Sequence, residues 1–215
     1  MAFKGFPPEA LEFYEGLEAD NSKSYWTENK PVYEEMVLAP MAALVEELSS
    51  KYGEPRIYRP YRDVRFSADK TPYKTAIAAS LSAGGYLQLS SEGLSAGCGM
   101  YMLEADQLER YRAAVDAEPA GVRLEDLVTA LRKKGIEVGG HGTLKTAPRG
   151  YPKDHPRIEL LKYKGLVTWK SWPVARWLGT AAAKQRVVDF FETSRPVNDW
   201  LAEHVGESTA PARSR

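Results

Sequence analysis

Three short extended segments follow one another in the middle of the chain, TAIAASLS, GYLQLS and GLSAGCGMYML, with no helical stretch between them. Strands that succeed one another across short turns pair antiparallel, because a parallel neighbour needs a crossover of a dozen or more residues. In GYLQLS, Leu87 and Leu89 alternate with Gln88, the period of a strand buried on one face. RDVRF, residues 62–66, is expected to be extended as well, with Arg62, Val64 and Phe66 on one face and Asp63 and Arg65 on the other. In GLSAGCGMYML the run of small residues means that something packs close to that backbone, and a covering helix is the expected neighbour.

Helical spacing dominates on both sides of these segments. PPEALEFYEGL opens on two prolines and carries Leu11, Phe13, Tyr14 and Leu17 in one stripe. DNSKSYWTENK reads as an interruption, after which PVYEEMVLAPMAALVEELSSKYG resumes the helical period, with Pro40 kinking that helix or starting a new one. Beyond the strands, EADQLERYRAAV and RLEDLVTALRKKG are helical, and IEVGGHGTLK is extended with a glycine-rich bend. DHPRIELLKYKG offers Asp154 as a cap, LVTWKSWP is a strand, and the closing stretch is two helices divided at Pro196. Helices, then consecutive strands, then mostly helices predict an α+β fold with a mainly antiparallel sheet. One domain over residues 1–205 and a tail at 206–215 are expected.

The 215 residues carry no formal net charge, with 29 Lys and Arg against 29 Asp and Glu, so the chain is not built as a general phosphate-backbone binder. Cys98 is the only cysteine, which excludes an intramolecular disulfide and a cysteine-rich metal site and suits the reducing cytoplasm. No apolar run reaches the roughly 18 residues of a membrane span. His141, His155 and His204 match no metal-ligand spacing, and no phosphate-binding loop or dinucleotide fingerprint is present, so neither metal nor cofactor is expected.

Against this neutral background YRPYRDVRFSADKTPYKT, residues 58–75, concentrates Arg59, Arg62, Arg65, Lys70 and Lys74 against only Asp63 and Asp69. Arginine forks and lysine ammonium groups suit carboxylate or phosphate, and Tyr58, Tyr61, Phe66 and Tyr73 are placed to wall such a site. The competing reading is structural, with Asp63 and Arg65 paired to each other and the lysines facing water. Asn21 and Trp26 add an amide and an aromatic ring at the junction after the first helix.

A second cluster, RGYPKDHP at residues 149–156, holds Tyr151, Lys153, Asp154 and His155. His155 is a candidate general acid or base, with Asp63 the carboxylate candidate. Cys98, between two glycines on a strand, is read as structural, and Trp177 and Trp200 as core packing.

FPPEALEFYEGLEADNSKSYW, NKPVYEEMVLAP, YRDVRFSADKTPYKT, GYLQLSSEGLSAGCGMYMLEADQLERYR, PRGYPKDHPRIELLKYKG and RPVNDWL together resemble the uncharacterised bacterial and fungal family known as domain of unknown function 2461, over nearly the full length. The resemblance implies no activity, substrate or catalytic residue. In that family the phrase after the first helix often reads N-N-R-E-W-F where this chain has DNSKSYW, so Asn21 and the aromatic Trp26 carry over while Lys23 does not. The expectation is an anionic small-molecule ligand at residues 58–75; the alternative is an interaction module docking an acidic protein or nucleic acid on the same basic face.

Overall fold

In the computed structural model, residues 2–65, 68–140 and 142–210 are described. The fold is α+β. Six strands form one sheet in the order β1-β2-β3-β4-β6-β5: β1 Pro55–Ile57, β2 Ala76–Leu81, β3 Gly85–Ser90, β4 Gly93–Met100, β5 Glu137–Gly139 and β6 Leu166–Pro173. Two compact units divide the chain, Met1–Ala96 with Ser171–Phe190 and Gly97–Lys170 with Phe191–Arg215. None of the helices among the described residues is long and apolar enough to cross a membrane.

The first unit opens with α1, Pro8–Ala19, which starts on a proline whose missing N–H costs nothing in a first turn and buries Ala10, Phe13, Tyr14 and Leu17. The expected interruption after it is instead a helix, α2, Lys23–Val32, because Ser22 caps it by accepting the Tyr25 N–H at 3.2 Å. A π-helical turn at Tyr33–Leu38 leads into α3, Ala39–Tyr52. Pro40 sits in the first turn of α3, so the widened turn before it lets a chain carrying both Pro31 and Pro40 stay helical.

β2 and β3 pair antiparallel with Ala78 opposite Gln88 and Ser80 opposite Tyr86. Ile77, Ala79, Leu81, Leu87 and Leu89 point to the buried face, against which α3 packs, while Ala76, Ala78, Ser80, Tyr86 and Gln88 occupy the half-exposed one. The segment expected as the strand RDVRF is not one: residues 62–65 are irregular, and among the described residues the pairing there is a bridge between Tyr61 and Tyr73. The first strand is β1, upstream of it, with Arg56 opposite Ser80.

The second unit contains α4, Ala105–Asp116, α5, Ala120–Lys133, and a short α6, Ile158–Leu161. Tyr111, Val115, Leu124, Val128, Leu131 and Leu161 are buried in it. Asp154 does not cap α6, whose N-cap is Arg157. Residues 206–209 of the expected tail are tethered: Gln107 donates to the Gly206 carbonyl at 2.8 Å, and Asp106 accepts from the Ser208 hydroxyl at 2.7 Å and the Thr209 N–H at 2.8 Å. Residues 211–215 lie outside the described ones.

The last helix, α7, Ala182–His204, is continuous through Pro196 rather than two helices. An interior proline removes one helical bond. The loss is tolerated here because Val187, Phe190, Phe191, Val197, Trp200 and Leu201 are buried on both sides of it.

The glycines of β4 are explained by the neighbouring strand, whereas the expected covering helix is α7, whose Ser194 and Asn198 lie beside the Cys98 thiol. A Cβ on Gly93 would collide with the Trp172 carbonyl, one on Gly97 would stand 2.6 Å from the Trp169 ring, and one on Gly99 would collide with the Leu166 carbonyl. All three partners belong to β6.

Candidate functional site

Residues 58–75 connect β1 to β2. The base of the excursion is pinned by Arg62 N–H to the Pro72 carbonyl at 2.9 Å and Lys74 N–H to the Pro60 carbonyl at 2.8 Å. The expected aromatic wall is divided by this arrangement. Tyr73 is only 5% exposed and stacks on Trp26, itself 5% exposed, with ring centroids 4.5 Å apart and planes within 9°. Asn21 holds the Tyr73 backbone, so Asn21, Trp26 and Tyr73 form a packed brace under the loop, and none of the three is among the residues lining the cleft beside Lys74. Phe66 lies outside the described residues.

The basic side chains separate as clearly. Arg65 is paired with Asp63, through Nε to Oδ1 at 2.9 Å and Nη2 to Oδ2 at 2.6 Å. These bonds from the guanidinium, followed by the Arg65 backbone N–H, pull the Asp63 carboxyl down to about 2. Asp63 is therefore a fixed anion at neutral pH, a poor proton acceptor. Arg62 uses one Nη on Asp69 at 2.5 Å and on the Thr71 hydroxyl at 2.8 Å, and Lys70 donates to the Val64 carbonyl at 2.9 Å.

Lys74 differs from these. Its ammonium donates to the Arg59 carbonyl at 2.9 Å and stands 5.7 Å from the centre of the Tyr58 ring. Burial, and then the charge of Arg59, lower its pKa. Among the described residues no carboxylate pairs with Lys74, nor with its neighbours Arg59 and Arg56; Arg56 also lies 5.5 Å from the Tyr58 ring.

Lys74, Arg62 and Asp63 stand at the margin of a cleft of about 600 Å³ on the half-exposed face of the first unit. Ala76 and Ala78 form part of its lining with Tyr58, Tyr86 and Gln88. Sequence reasoning missed Tyr86, Gln88 and Arg56 as neighbours of the basic stretch. The alternation in GYLQLS assigns Gln88 to the exposed face, yet the register that brings it opposite Ala78 is a tertiary fact.

The second cluster belongs to the second unit and is organised around a buried arginine. Arg157, 6% exposed, donates from Nε to the Val115 carbonyl at 2.7 Å and from Nη2 to the Asp116 carbonyl at 2.9 Å, satisfying the end of α4. His155 Nδ1 accepts the Arg157 backbone N–H at 3.0 Å, which makes Nε2 the protonated nitrogen facing Asp116 Oδ1 at 3.0 Å. Both ring nitrogens are thus occupied, and His155 acts in this structure as a bracket between Arg157 and Asp116. Tyr151 packs edge-on to it, 6.4 Å between ring centres. The candidate acid and base, Asp63 and His155, belong to different units and each has its own partner.

Cys98 is buried, its thiol 3.1 Å from the Thr168 hydroxyl, and burial raises its pKa. Trp200 is fully buried, with its indole N–H on the Ala120 carbonyl at 3.0 Å. Trp177 lies in a 3-10 turn, with the Arg186 guanidinium 4.5 Å from its ring centre. Among the described residues no group of three His, Cys, Asp or Glu side chains is arranged to hold a metal ion. His141 is not among them.

A family model described as "Conserved hypothetical protein" (DUF2461) matches residues 9–200. No curated protein matches the chain. A solved structure of a conserved hypothetical protein from Pyrococcus furiosus is similar at 14% identity, with 75% of this chain and 92% of that chain covered and a TM-score of 0.38.

Proposed function

The chain belongs to this family of conserved hypothetical proteins, and from that premise we propose that it binds a small anion in the cleft on the open face of β2 and β3, with Lys74 as the principal contact. The observation that carries the reading is the partnering of the cations. Arg62 and Arg65 are each committed to an aspartate, whereas Lys74, part-buried beside Tyr58, has no counter-charge among the described residues. An anion there would supply the missing charge and accept charge-assisted hydrogen bonds worth about 1.5–3 kcal/mol each. Binding, not proton transfer, is the chemistry these contacts support, since Asp63 is held ionised by Arg65. The single buried thiol, Cys98, suits the cytoplasm, which we propose as the location.

Thermal-shift titration of the parent and of Lys74→Met against phosphate monoesters and carboxylates tests this. A ligand present at 100 times its Kd stabilises the folded state by about 2.7 kcal/mol. The expected result is a rise in Tm for the parent and none for Lys74→Met, persisting when salt is raised. A parent that no anion stabilises, or a variant that responds equally, contradicts the reading. A parent that no small anion stabilises but that binds an oligonucleotide with an affinity collapsing steeply as salt rises points instead to an acidic protein or nucleic acid docked through many surface charges.

A further inference from the structure

Granting that the cleft binds an anion at Lys74, we infer that its ligand is a phosphate monoester that carries a ring, the phosphate at Lys74 and the ring lying on the alanine floor between Tyr58 and Gln88. The geometry follows from the register of three strands. The Tyr58 N–H donates to the Ala78 carbonyl at 2.9 Å, and Ala78 faces Gln88 across β2 and β3, so Tyr58, Ala78 and Gln88 form one row across the sheet. Neighbouring strands are spaced by about 4.8 Å, so the backbones of Tyr58 and Gln88 stand about 9–10 Å apart with the Ala78 methyl between them, and the Tyr58 ring leans across β2, its hydroxyl 3.2 Å from that of Ser80. Ala76 lies two residues along the same face and extends this low floor toward Lys74. The result is a slot with an apolar bottom, suited to the face of a ring.

The polar groups favour phosphate over a simple carboxylate. The Gln88 carbonyl oxygen accepts the Tyr86 hydroxyl at 3.1 Å, which leaves its amide nitrogen as a donor with no acceptor among the described residues. The Lys74 ammonium spends one of its three hydrogens on Arg59, and Arg62 and Thr75 border the same cleft. The one carboxylate at the margin, Asp63, already accepts three hydrogen bonds from Arg65. A lining rich in donors calls for a ligand with several acceptor oxygens, which a phosphate has and a monocarboxylate has not. A cleft of about 600 Å³ also exceeds the needs of a bare ion and falls in the range of whole small-molecule sites.

The test is a calorimetric titration with inorganic phosphate, glycerol 3-phosphate, glucose 6-phosphate, adenosine 5′-monophosphate and the carboxylate benzoate on the parent, Ala78→Ile, Gln88→Leu and Lys74→Met. The inference expects at least one ring phosphate to bind about tenfold more tightly than inorganic or glycerol phosphate. Filling the slot with Ala78→Ile should erase that advantage while inorganic phosphate still binds; Gln88→Leu should reduce it, and Lys74→Met should weaken every phosphate. Which ring compound wins distinguishes a sugar from a base. Inorganic phosphate binding as tightly as every ring compound, or a carboxylate binding at Lys74 where phosphates do not, overturns the inference and leaves the anion site standing. Absence of binding by every phosphate and carboxylate overturns both.

Discussion

Asn21 and Tyr73 clasp one another as two strands would: Asn21 Nδ2 donates to the Tyr73 carbonyl at 3.1 Å, and the Tyr73 N–H donates to Asn21 Oδ1 at 3.0 Å. A side-chain amide here completes the backbone of a residue 52 positions away. Removing it leaves two part-buried backbone groups without partners, at about 1–3 kcal/mol for such a group. Asn21→Ala is expected to lower the urea midpoint correspondingly with an unchanged m-value, and Asn21→Asp, which keeps an acceptor but loses the donor, to fall between. An Asn21→Ala protein as stable as the parent would contradict the brace.

The ring above that clasp gives the second expectation. Trp26 contacts Phe13, Tyr33, Tyr61 and Tyr73 at ring separations of 4.5–5.9 Å. Truncating a buried tryptophan to alanine costs about 3–5 kcal/mol. Trp26→Ala should show that loss in denaturant unfolding, whereas Trp26→Phe should retain much of the stability. If Trp26→Ala left stability intact and abolished anion binding, Trp26 would be a ligand contact after all.

Asp63 supplies a pH expectation with a definite sign. Its folded-state pKa of about 2 lies below the ordinary aspartate value of about 3.9, so the Arg65 pair contributes to stability above the ordinary value and is lost as pH falls through about 2. Arg65→Ala should move the Asp63 midpoint, followed by carboxyl-carbon NMR, upward toward the ordinary range. Above about pH 5 the variant should match the parent in the Asp63 ionisation state. An unchanged midpoint would contradict the pairing.

Arg157 tests the second unit. Its guanidinium reaches two carbonyls at the end of α4, each bond of a kind worth about 1.5–3 kcal/mol. Arg157→Met is expected to cost about 3 kcal/mol by chemical denaturation. Arg157→Lys should recover less than half, because a single ammonium lacks the planar fork that spans both acceptors. Full recovery by lysine would mean that charge, not fork geometry, matters there.

Local patterns carried much of the fold. The alternation around Gln88, the strand LVTWKSWP and the helices α4 and α5 all rest on short-range periodicity, and they stand where that periodicity puts them. Failures came where a side-chain hydrogen bond or tertiary burial overrides the local pattern. Lys23–Val32 is helical because Ser22 caps it, and residues 62–65 are irregular, with Asp63 folded back on Arg65 and Arg62 held by Asp69 within the loop. The helix α7 runs through Pro196 because buried residues on both sides hold it. At the site, the sequence drew attention to the basic stretch and to the Asp63–Arg65 pair. It could not separate committed cations from Lys74, which depends on how the loop folds, nor bring Tyr86 and Gln88 to the same cleft, which depends on sheet register.

The most direct test is to map the anion onto the fold by two-dimensional amide NMR during titration with inorganic phosphate. The account predicts saturable shifts confined to Lys74–Ala78 and Tyr86–Gln88, and their loss in Lys74→Met. Shifts spread weakly over basic residues throughout the chain, or none at all, would contradict a built anion site and return residues 58–75 to a purely structural role.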